Sequence, residues 1–254
     1  MSEKNITIAL SGKGGVGKTT TAALLVRALK DRKEGAVFGI DADPNSCLAD
    51  YLGLEVDINL GDIREDIIKN ISNIPNGMTK ERWINYRVHE CIVESTGIDV
   101  LEMGRPEGPG CYCYINNLIR GYEGEVNQNY KYTVIDNEAG MEHLSRRTSR
   151  TIDYLLIVSD LSNPGLKAAK RINDLSKKLD LVTRYTGLIL NKADDELYEK
   201  RKDISDATEL EIVGRIPSDP VLANFEADFA SVLDIPADSA AVKAAEDIIT
   251  ALKL

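Results

Sequence analysis

The amino-acid sequence predicts an α/β fold in which a mostly parallel central sheet carries helices on both faces. Short runs rich in β-branched residues alternate along the chain with segments of helical periodicity. Most of these runs are apolar throughout, as is typical of strands that are buried on both faces. Such alternation of strands and helices favours a parallel sheet. A chain of 254 residues is long enough for one substantial core, so we expect a single domain over residues 1–254.

The pattern predicts the following elements in chain order. The strands are expected at residues 5–10, 36–41, 98–103, 132–136, 154–160, 185–191 and 210–216. The clearest helical segments are residues 18–32, 163–179 and 239–252. Residues 55–90 carry a weaker pattern, which favours helices joined by a loop.

The composition narrows the classes of function. Charged residues make up 28% of the chain and hydrophobic residues 43%, which is ordinary for a folded, soluble protein. The net charge of −10 argues against general binding to nucleic acid or to anionic membranes. The N-terminus lacks the pattern of a signal peptide, and no run of about 18 apolar residues is present. We therefore expect a cytoplasmic protein whose four cysteines are thiols.

A phosphate-binding loop follows the first predicted strand. Residues 12–19 read GKGGVGKT and match the pattern G-x-x-x-x-G-K-[ST] between a strand and a helix. Glycines let successive backbone N–H groups turn toward a phosphate, and the helix N-terminus adds a partial positive charge. The candidate nucleotide contacts are Gly12, Gly14, Gly15, Val16, Gly17, Lys18, Thr19 and Thr20. Within this set, Lys18 should reach the terminal phosphates, and the Thr19 hydroxyl should bind Mg²⁺.

A second lysine in this loop, Lys13, is not required by the general pattern. The stretch KGGVGKTT resembles the deviant Walker A sequence of the SIMIBI-class ATPases, which include nitrogenase iron protein, the arsenite-pump ATPase and the partition ATPases. The resemblance implies a homodimer that sandwiches the nucleotides. It also implies that Lys13 reaches the phosphates bound by the opposite subunit, and so acts in catalysis beside Lys18.

Two further segments resemble the same class in the expected order. Residues 41–44 read DADP, and the resemblance implies that Asp43 orients the attacking water while Asp41 lies near the Mg²⁺ shell. Phosphoryl transfer requires mainly the positioning of a water and the balancing of charge, which carboxylates can do. Residues 133–140 read TVIDNEAG. There Asp136 is implied to hold Mg²⁺ through water, and the Gly140 N–H to face the γ-phosphate.

The nucleotide base should lie near the ends of the last two strands. Asn191, at the end of LILNKAD, is implied to contact the adenine edge, while Lys192 covers the base with its aliphatic stem. Pro217, in GRIPSDP, resembles the residue of the final nucleotide loop. A guanine-reading N-K-x-D signature is absent because Asp194 falls one residue late, so ATP and ADP are the expected nucleotides.

Cys111 and Cys113 form a C-x-C pair between the two nucleotide-binding segments. Two thiolates are too few for a four-coordinate ion, so one chain offers half of a metal site. Residues i and i+2 of an extended segment point to the same side. Two chains related by a two-fold axis could therefore bring four sulfurs together. The residues alone leave the ion open among Zn²⁺, Ni²⁺ and Cu⁺.

The phrase CYC, followed by DNEAGMEHLSRRT, resembles the CooC family of nickel-inserting ATPases over essentially the whole chain. The resemblance implies a homodimer that holds Ni²⁺, or Zn²⁺ in its place, and delivers it to carbon monoxide dehydrogenase or acetyl-CoA synthase. The alternative is a partition-type or septum-site-type ATPase that controls binding to a surface without delivering metal.

Overall fold

A computed structural model describes residues 5–45, 47–70, 74–75, 77–104, 128–139, 152–179, 184–201, 203–228 and 230–254. Within them, eight strands form one sheet with the order β3-β4-β2-β5-β1-β6-β7-β8. The strands are β1 (Ile6–Gly12), β2 (Val37–Ala42), β3 (Ile92–Ser95), β4 (Ile98–Glu102), β5 (Tyr132–Asn137), β6 (Tyr154–Ser159), β7 (Tyr185–Asn191) and β8 (Glu211–Ile216). All of these pair in parallel except β3, which runs antiparallel to β4.

Helices connect most of these strands. They are α1 (Lys18–Asp31), α2 (Leu48–Tyr51), α3 (Leu60–Asn70), α4 (Lys80–His89), α5 (Asn163–Lys178), α6 (Asp195–Glu199), α7 (Ile204–Thr208), α8 (Pro220–Ala227) and α9 (Ala240–Ala251), with a 3₁₀ turn at Val232–Asp234. Across the described ranges, no helix is both long enough and apolar enough to cross a bilayer.

The sheet separates two apolar cores, one on each face. Along β5, Tyr132 and Val134 pack into the core formed with α1 and α9, whereas Ile135 packs into the core formed with α3, α4 and α5. Alternate side chains of a strand point to opposite faces, which is why these strands have to be apolar at nearly every position. The predicted α/β class, with helices on both faces of a mostly parallel sheet, is confirmed.

The edge strand β3 was not predicted. It pairs with β4 through the register Ser95↔Ile98, so Thr96 and Gly97 form a two-residue hairpin turn. Gly97 has φ +79°, a left-handed conformation that a residue without Cβ adopts easily. The strand escaped prediction because four residues with two exposed positions carry too little apolar pattern.

The carboxyl ends of β1, β2, β5, β6 and β7 meet at one edge of the sheet. In parallel α/β sheets, ligands bind at this edge. The predicted residues at or just beyond these strand ends, Gly12, Asp43, Asp136 and Asn191, are therefore brought to one edge from distant parts of the sequence.

Candidate nucleotide-binding site

The phosphate-binding loop joins β1 to α1 in a conformation that demands glycine. Gly15 has φ +82° and Gly17 has φ +86°, a region that other residues rarely adopt. A Cβ at Gly12 would collide with the carbonyl oxygen of Val158 on the neighbouring strand β6. Gly17 directly precedes α1, and no side chain caps that helix. The first turn of α1 therefore offers its N–H groups and positive dipole end to an anion.

A cavity of about 830 Å³ opens beside this loop. Its wall includes the following predicted residues: Gly14, Gly15, Gly17, Lys18, Thr19, Thr20, Asp43, Asn191, Lys192 and Pro217. They come from the phosphate-binding loop, the turn after β2, the end of β7 and the loop before α8. The cavity is large enough for a nucleotide, and it joins the predicted phosphate and base contacts in one space.

The remaining predicted residues of the described ranges surround this cavity without lining it. Gly12 and Val16 are buried within the loop. Lys13 is exposed. Asp41 and Asp136 are fully buried and occupy paired positions at the ends of β2 and β5.

Asp136 is a buried carboxylate with no hydrogen bond to either oxygen. Burial raises its pKa to about 7. The Thr19 hydroxyl lies close enough to lower this pKa, as does Lys18, whereas Asp41 and Asp43 raise it. An unsatisfied buried carboxylate costs free energy. This position therefore favours a cation or a further hydrogen-bond donor beside the Thr19 hydroxyl.

The surroundings of Asp136 fit Mg²⁺. This ion prefers oxygen ligands and usually takes one or two carboxylates together with phosphate oxygens and waters. Asp136 supplies two unused oxygens, and Thr19 lies on the cavity wall. Within the described ranges, no group of three or more histidine, cysteine or carboxylate side chains forms a metal site alone. Magnesium here would take its other ligands from the nucleotide and water.

Asp41 holds the turn that carries Asp43. Its Oδ1 accepts a bond from the Asp43 N–H at 2.9 Å, and its Oδ2 accepts bonds from the N–H groups of Cys47 and Leu48 at 2.7 and 2.8 Å. Burial raises the pKa of Asp41, although these three bonds lower it. Asp43 is half-buried, and its Oδ1 accepts two bonds from Asn45. Asp41 thus has a positioning role besides its predicted place near the Mg²⁺ shell.

Asn191 ties the end of β7 to the phosphate-binding loop. Its Nδ2 donates to the Val16 carbonyl at 2.8 Å, and its Oδ1 accepts from the Lys192 N–H at 3.0 Å. A Cβ at Gly17 would collide with this amide. An amide nitrogen has two N–H donors, so a contact to adenine has to use the remaining one. Lys192 lines the cavity with φ +53°.

Asp194 fixes the loop that carries Pro217. Its Oδ1 accepts a bond from the Ser218 N–H at 3.0 Å, and its Oδ2 accepts a bond from the Ser218 hydroxyl at 3.0 Å. Both carboxylate oxygens are thereby engaged with the protein. The sequence indicated only that Asp194 does not fit a guanine-reading signature, and the structure gives it this different task.

Asp219 connects the same loop to the C-terminal helix, a role that sequence reasoning missed. It accepts bonds from the N–H of Val221 at 2.8 Å, the Ser239 hydroxyl at 2.5 Å and the N–H of Ala241 at 3.0 Å. An aspartate directly before Pro220 is a typical N-cap signal, which would have identified its contact with α8. Its bonds to α9 span about twenty positions of sequence and leave no local signal.

Comparison with known proteins agrees with this geometry. The sequence matches the CobQ/CobB/MinD/ParA nucleotide binding domain over residues 7–232. The chain belongs to this family. Members are ATP-binding proteins of the P-loop class, and in this CobQ/CobB/MinD/ParA protein the cavity at the carboxyl edge of the sheet adjoins the phosphate-binding loop.

Individual relatives cover most of the chain. An uncharacterized ATP-binding protein of Methanocaldococcus jannaschii is 38% identical over 95% of this chain and 96% of its own. The carbon monoxide dehydrogenase accessory protein CooC of Rhodospirillum rubrum is 35% identical over 69% of this chain and 71% of its own. A ParA family ATPase from Chlorobium tepidum superposes with a TM-score of 0.74 over 99% of this chain and 100% of its own. That structure is only 23% identical, so it bears on the fold alone.

The cysteines of this CobQ/CobB/MinD/ParA protein divide into two pairs. Cys111 and Cys113, together with Gly140, lie outside the described residues. Cys91 is buried, and burial raises the pKa of its thiol to about 12. Cys47 lines the nucleotide cavity, where burial and then Asp41 raise the pKa of its thiol. Neither of the described thiols is therefore activated as a thiolate.

Proposed function

We propose that this protein is a nickel-inserting ATPase that binds Ni²⁺ between two C-x-C pairs at a homodimer interface. ATP hydrolysis releases the ion to carbon monoxide dehydrogenase or acetyl-CoA synthase. The observation that carries the proposal is the C-x-C pair of Cys111 and Cys113 within a P-loop chain that is 35% identical to a carbon monoxide dehydrogenase accessory protein. Nickel would be the ion that the protein delivers, whereas ATP and Mg²⁺ would take part in the hydrolysis that drives its release.

Hydrolysis would proceed by in-line attack of water on the γ-phosphorus. The water oxygen forms the new bond, the bond to the bridging oxygen breaks, and ADP leaves, while one proton of the water stays on inorganic phosphate and the other passes to solvent. Asp43, on the cavity wall, holds the water. Lys18 binds the terminal phosphates, and bound Mg²⁺, held near Asp136 and Thr19, would neutralise the charge of the phosphate oxygens.

A second subunit is the element that would couple hydrolysis to the metal. Lys13 is exposed next to the cavity, where it can contact phosphates held by the facing subunit. The same two-fold contact would bring two C-x-C pairs together and complete four thiolate ligands. Loss of the γ-phosphate removes the Lys13 contact and weakens the dimer. Release of the metal then follows from the difference in metal affinity between the two nucleotide states.

Metal titration in defined nucleotide states tests the proposal. Purified protein is titrated with Ni²⁺, and separately with Zn²⁺, in the presence of Mg²⁺-ADP and of a non-hydrolysable ATP analogue. Binding is followed by thiolate-to-metal absorption and calorimetry. We expect one ion per dimer, and tighter binding in the ATP-like state.

Cysteine variants provide the matched controls. Cys111→Ala and Cys113→Ala should each abolish stoichiometric binding while leaving nucleotide binding intact. Cys47→Ser removes a different thiol from the same chain and should leave metal binding unchanged. Metal binding that survives both C-x-C variants, or no cysteine-dependent metal in any nucleotide state, would eliminate delivery and favour a switch of the partition or septum-site type.

A further inference from the structure

Helix α5 carries a cationic face on an otherwise acidic protein. Five of its sixteen residues are lysine or arginine, and only one, Asp174, is acidic. The whole chain has 41 acidic and 31 basic residues. This concentration of positive charge lies on the helix that follows β6, whose carboxyl end adjoins the phosphate-binding loop in the sheet.

A groove of about 330 Å³ runs between this helix and the segment around α7. Its charged lining consists of Lys167, Lys170 and Arg171 of α5, together with Arg201 and Asp203, while the buried side chain of Leu166 contributes an apolar floor. None of these residues lines the nucleotide cavity. A ligand in the groove would therefore leave the nucleotide site open.

Two of the rim cations are engaged with neighbouring groups, and two are not. Lys170 forms ion pairs with Asp174 at 2.7 Å and with Glu209 at 2.8 Å. Arg201 lies 3.4 Å from the Asp203 carboxylate and donates to the Leu161 carbonyl at 2.9 Å.

Lys167 and Arg171, by contrast, are exposed and have no ion pair with any described residue. At positions i and i+4 of a helix their side chains are neighbours. They therefore present to the groove two adjacent positive charges that no described carboxylate pairs with.

Hydrogen bonds and ion pairs join the end of α7 to α5 across the groove. The buried Asn173 donates to the carbonyl oxygens of Thr208 and Glu209 at 3.1 and 3.0 Å. Glu209, which directly follows α7, also forms ion pairs with Lys170 and Lys177 of α5. A preformed site loses little entropy when it binds a partner.

From this geometry we infer that the α5 groove is a docking site for an acidic segment of a partner protein. Carboxylates would pair with Lys167 and Arg171, and the arginine can hold a carboxylate through two parallel bonds. Leu175, 37% exposed, lies one turn beyond Arg171 on the same stripe. The matching partner segment is thus acidic with an apolar residue one turn away.

A protein segment fits this surface better than a nucleic acid does. A phosphodiester backbone needs a broad basic surface, whereas Asp203 lines the groove and Glu209 pairs with Lys170 at its edge, so both would repel a long polyanion. A phosphate backbone also offers nothing apolar to Leu175. The inference does not depend on the nickel proposal, since the groove and the C-x-C pair are separate features.

A binding assay with a defined probe tests the inference. The probe is a fluorescein-labelled peptide of ten residues, eight glutamates and two leucines, and binding to the full chain is followed by fluorescence anisotropy at low salt. We expect the double variant Lys167→Glu/Arg171→Glu to weaken binding by about tenfold or more, the equivalent of one 1.4 kcal/mol step. Its nucleotide binding and ATP hydrolysis should remain unchanged.

A charge-matched control separates the groove from bulk charge. Lys80→Glu/Lys243→Glu makes the same change of net charge at two exposed lysines elsewhere and should alter affinity by less than about threefold. Equal weakening by both double variants would overturn the inference, as would failure of the wild-type protein to bind.

Tighter binding of a labelled 20-base-pair DNA duplex would reassign the groove to nucleic acid. Self-association lost only in the Lys167→Glu/Arg171→Glu variant would reassign it to a second copy of this chain.

Discussion

The two edges of the central sheet differ in whether the protein itself supplies hydrogen bonds to their buried polar groups. At the amino ends of the strands, Asn5 donates to the Tyr130 carbonyl at 2.9 Å and to the Thr133 hydroxyl at 3.1 Å. There Asp153 accepts a bond from the Thr7 N–H at 3.1 Å and pairs with Arg184. At the carboxyl ends, the buried oxygens of Asp136 and the Oδ1 of Asn137 have no well-aligned hydrogen bond from a described residue, and the Thr19 hydroxyl is the donor near Asp136.

This contrast separates stability from function. Buried polar groups that are fully bonded stabilise a fold, whereas orphaned ones destabilise it unless a ligand completes them. At the amino edge, the buried polar side chains Asn5 and Asp153 obtain their hydrogen bonds from the protein itself when the chain folds. At the carboxyl edge Asp41 and Asn191 are also bonded within the protein, whereas Asp136 is left for a ligand to complete, which agrees with the cavity at that edge.

The substitution Asp136→Asn should give the largest effect, because we expect it to lower activity while raising stability. We expect Mg²⁺-dependent ATP hydrolysis to fall by about 100-fold or more, because a charge that positions the phosphates is lost. The nucleotide-free protein should become more stable by about 1 kcal/mol, because an unpaired buried charge is removed. Phosphate release and urea unfolding measure the two effects. A variant that loses both activity and stability would show that Asp136 serves the fold instead.

The same substitution at the amino edge, Asp153→Asn, should lower stability and leave the rate of hydrolysis unchanged. The carboxylate is buried and bonded to the Thr7 N–H and to Arg184, so we expect a loss of about 1.5 to 2 kcal/mol in the free energy of unfolding. Hydrolysis at saturating ATP should stay at the wild-type rate. A fall in the rate without a fall in stability would contradict the division between the edges.

Removal of the tether between β7 and the phosphate-binding loop should have a smaller effect, confined to the nucleotide. Asn191→Ala deletes the bond to the Val16 carbonyl, and we expect nucleotide affinity to fall by about tenfold, or 1.4 kcal/mol. Equilibrium dialysis with ATP measures this change. The control is Asn173→Ala, which removes an equally buried amide that bonds to Thr208 and Glu209. Equal loss of affinity in both variants would indicate a general loss of structure.

Asp219 lies at the carboxyl edge but is fully bonded, so it should behave like a residue of the amino edge. Burial by itself raises its pKa, but bonds from Ser239, Ala241, Val221 and Leu222 bring it below the ordinary value. A carboxylate with a lowered folded-state pKa stabilises the protein above its unfolded-state pKa of about 4, and this stabilisation disappears as the pH falls through the folded-state pKa.

The corresponding experiment compares the wild-type protein with Asp219→Asn by urea unfolding from pH 7 down to pH 3.5. We expect the variant to be less stable by about 1 kcal/mol at pH 7. The difference should shrink as the pH falls below about 4. A difference that stays constant over this range would show that the charge of Asp219 contributes nothing to the loop.

The core strands of the fold could be predicted closely from the sequence. Continuous apolar runs located β2, β5, β6 and β7 within one residue of their observed ends, and β1 within two, because strands covered on both faces leave few polar positions. The helices expected within residues 55–90 are α3 and α4. The strand β3 and the short helices α2, α6, α7 and α8 were not predicted, since segments of four to eight residues carry too little periodicity.

Within the site, local pattern identified the phosphate-binding loop and the acidic residues at strand ends. It did not reveal that Asp136 is unsatisfied, or that Asn191 reaches the loop 175 positions away. It also missed the contact of Asp194 with Ser218 and the link from Asp219 to α9. These are relations between distant residues, and propensity and spacing describe only neighbours in the chain.

The sequence by itself determined the fold class, the phosphate-binding loop and the family resemblance, because each depends on local residue order. The left-handed positions at Gly15 and Gly17 and the buried strands are fixed in this way. Only the tertiary structure decided which polar groups are completed by the protein and which await a ligand. That distinction depends on which strand ends lie side by side in the sheet. It also depends on the burial of polar side chains at those ends, which removes water as their hydrogen-bond partner.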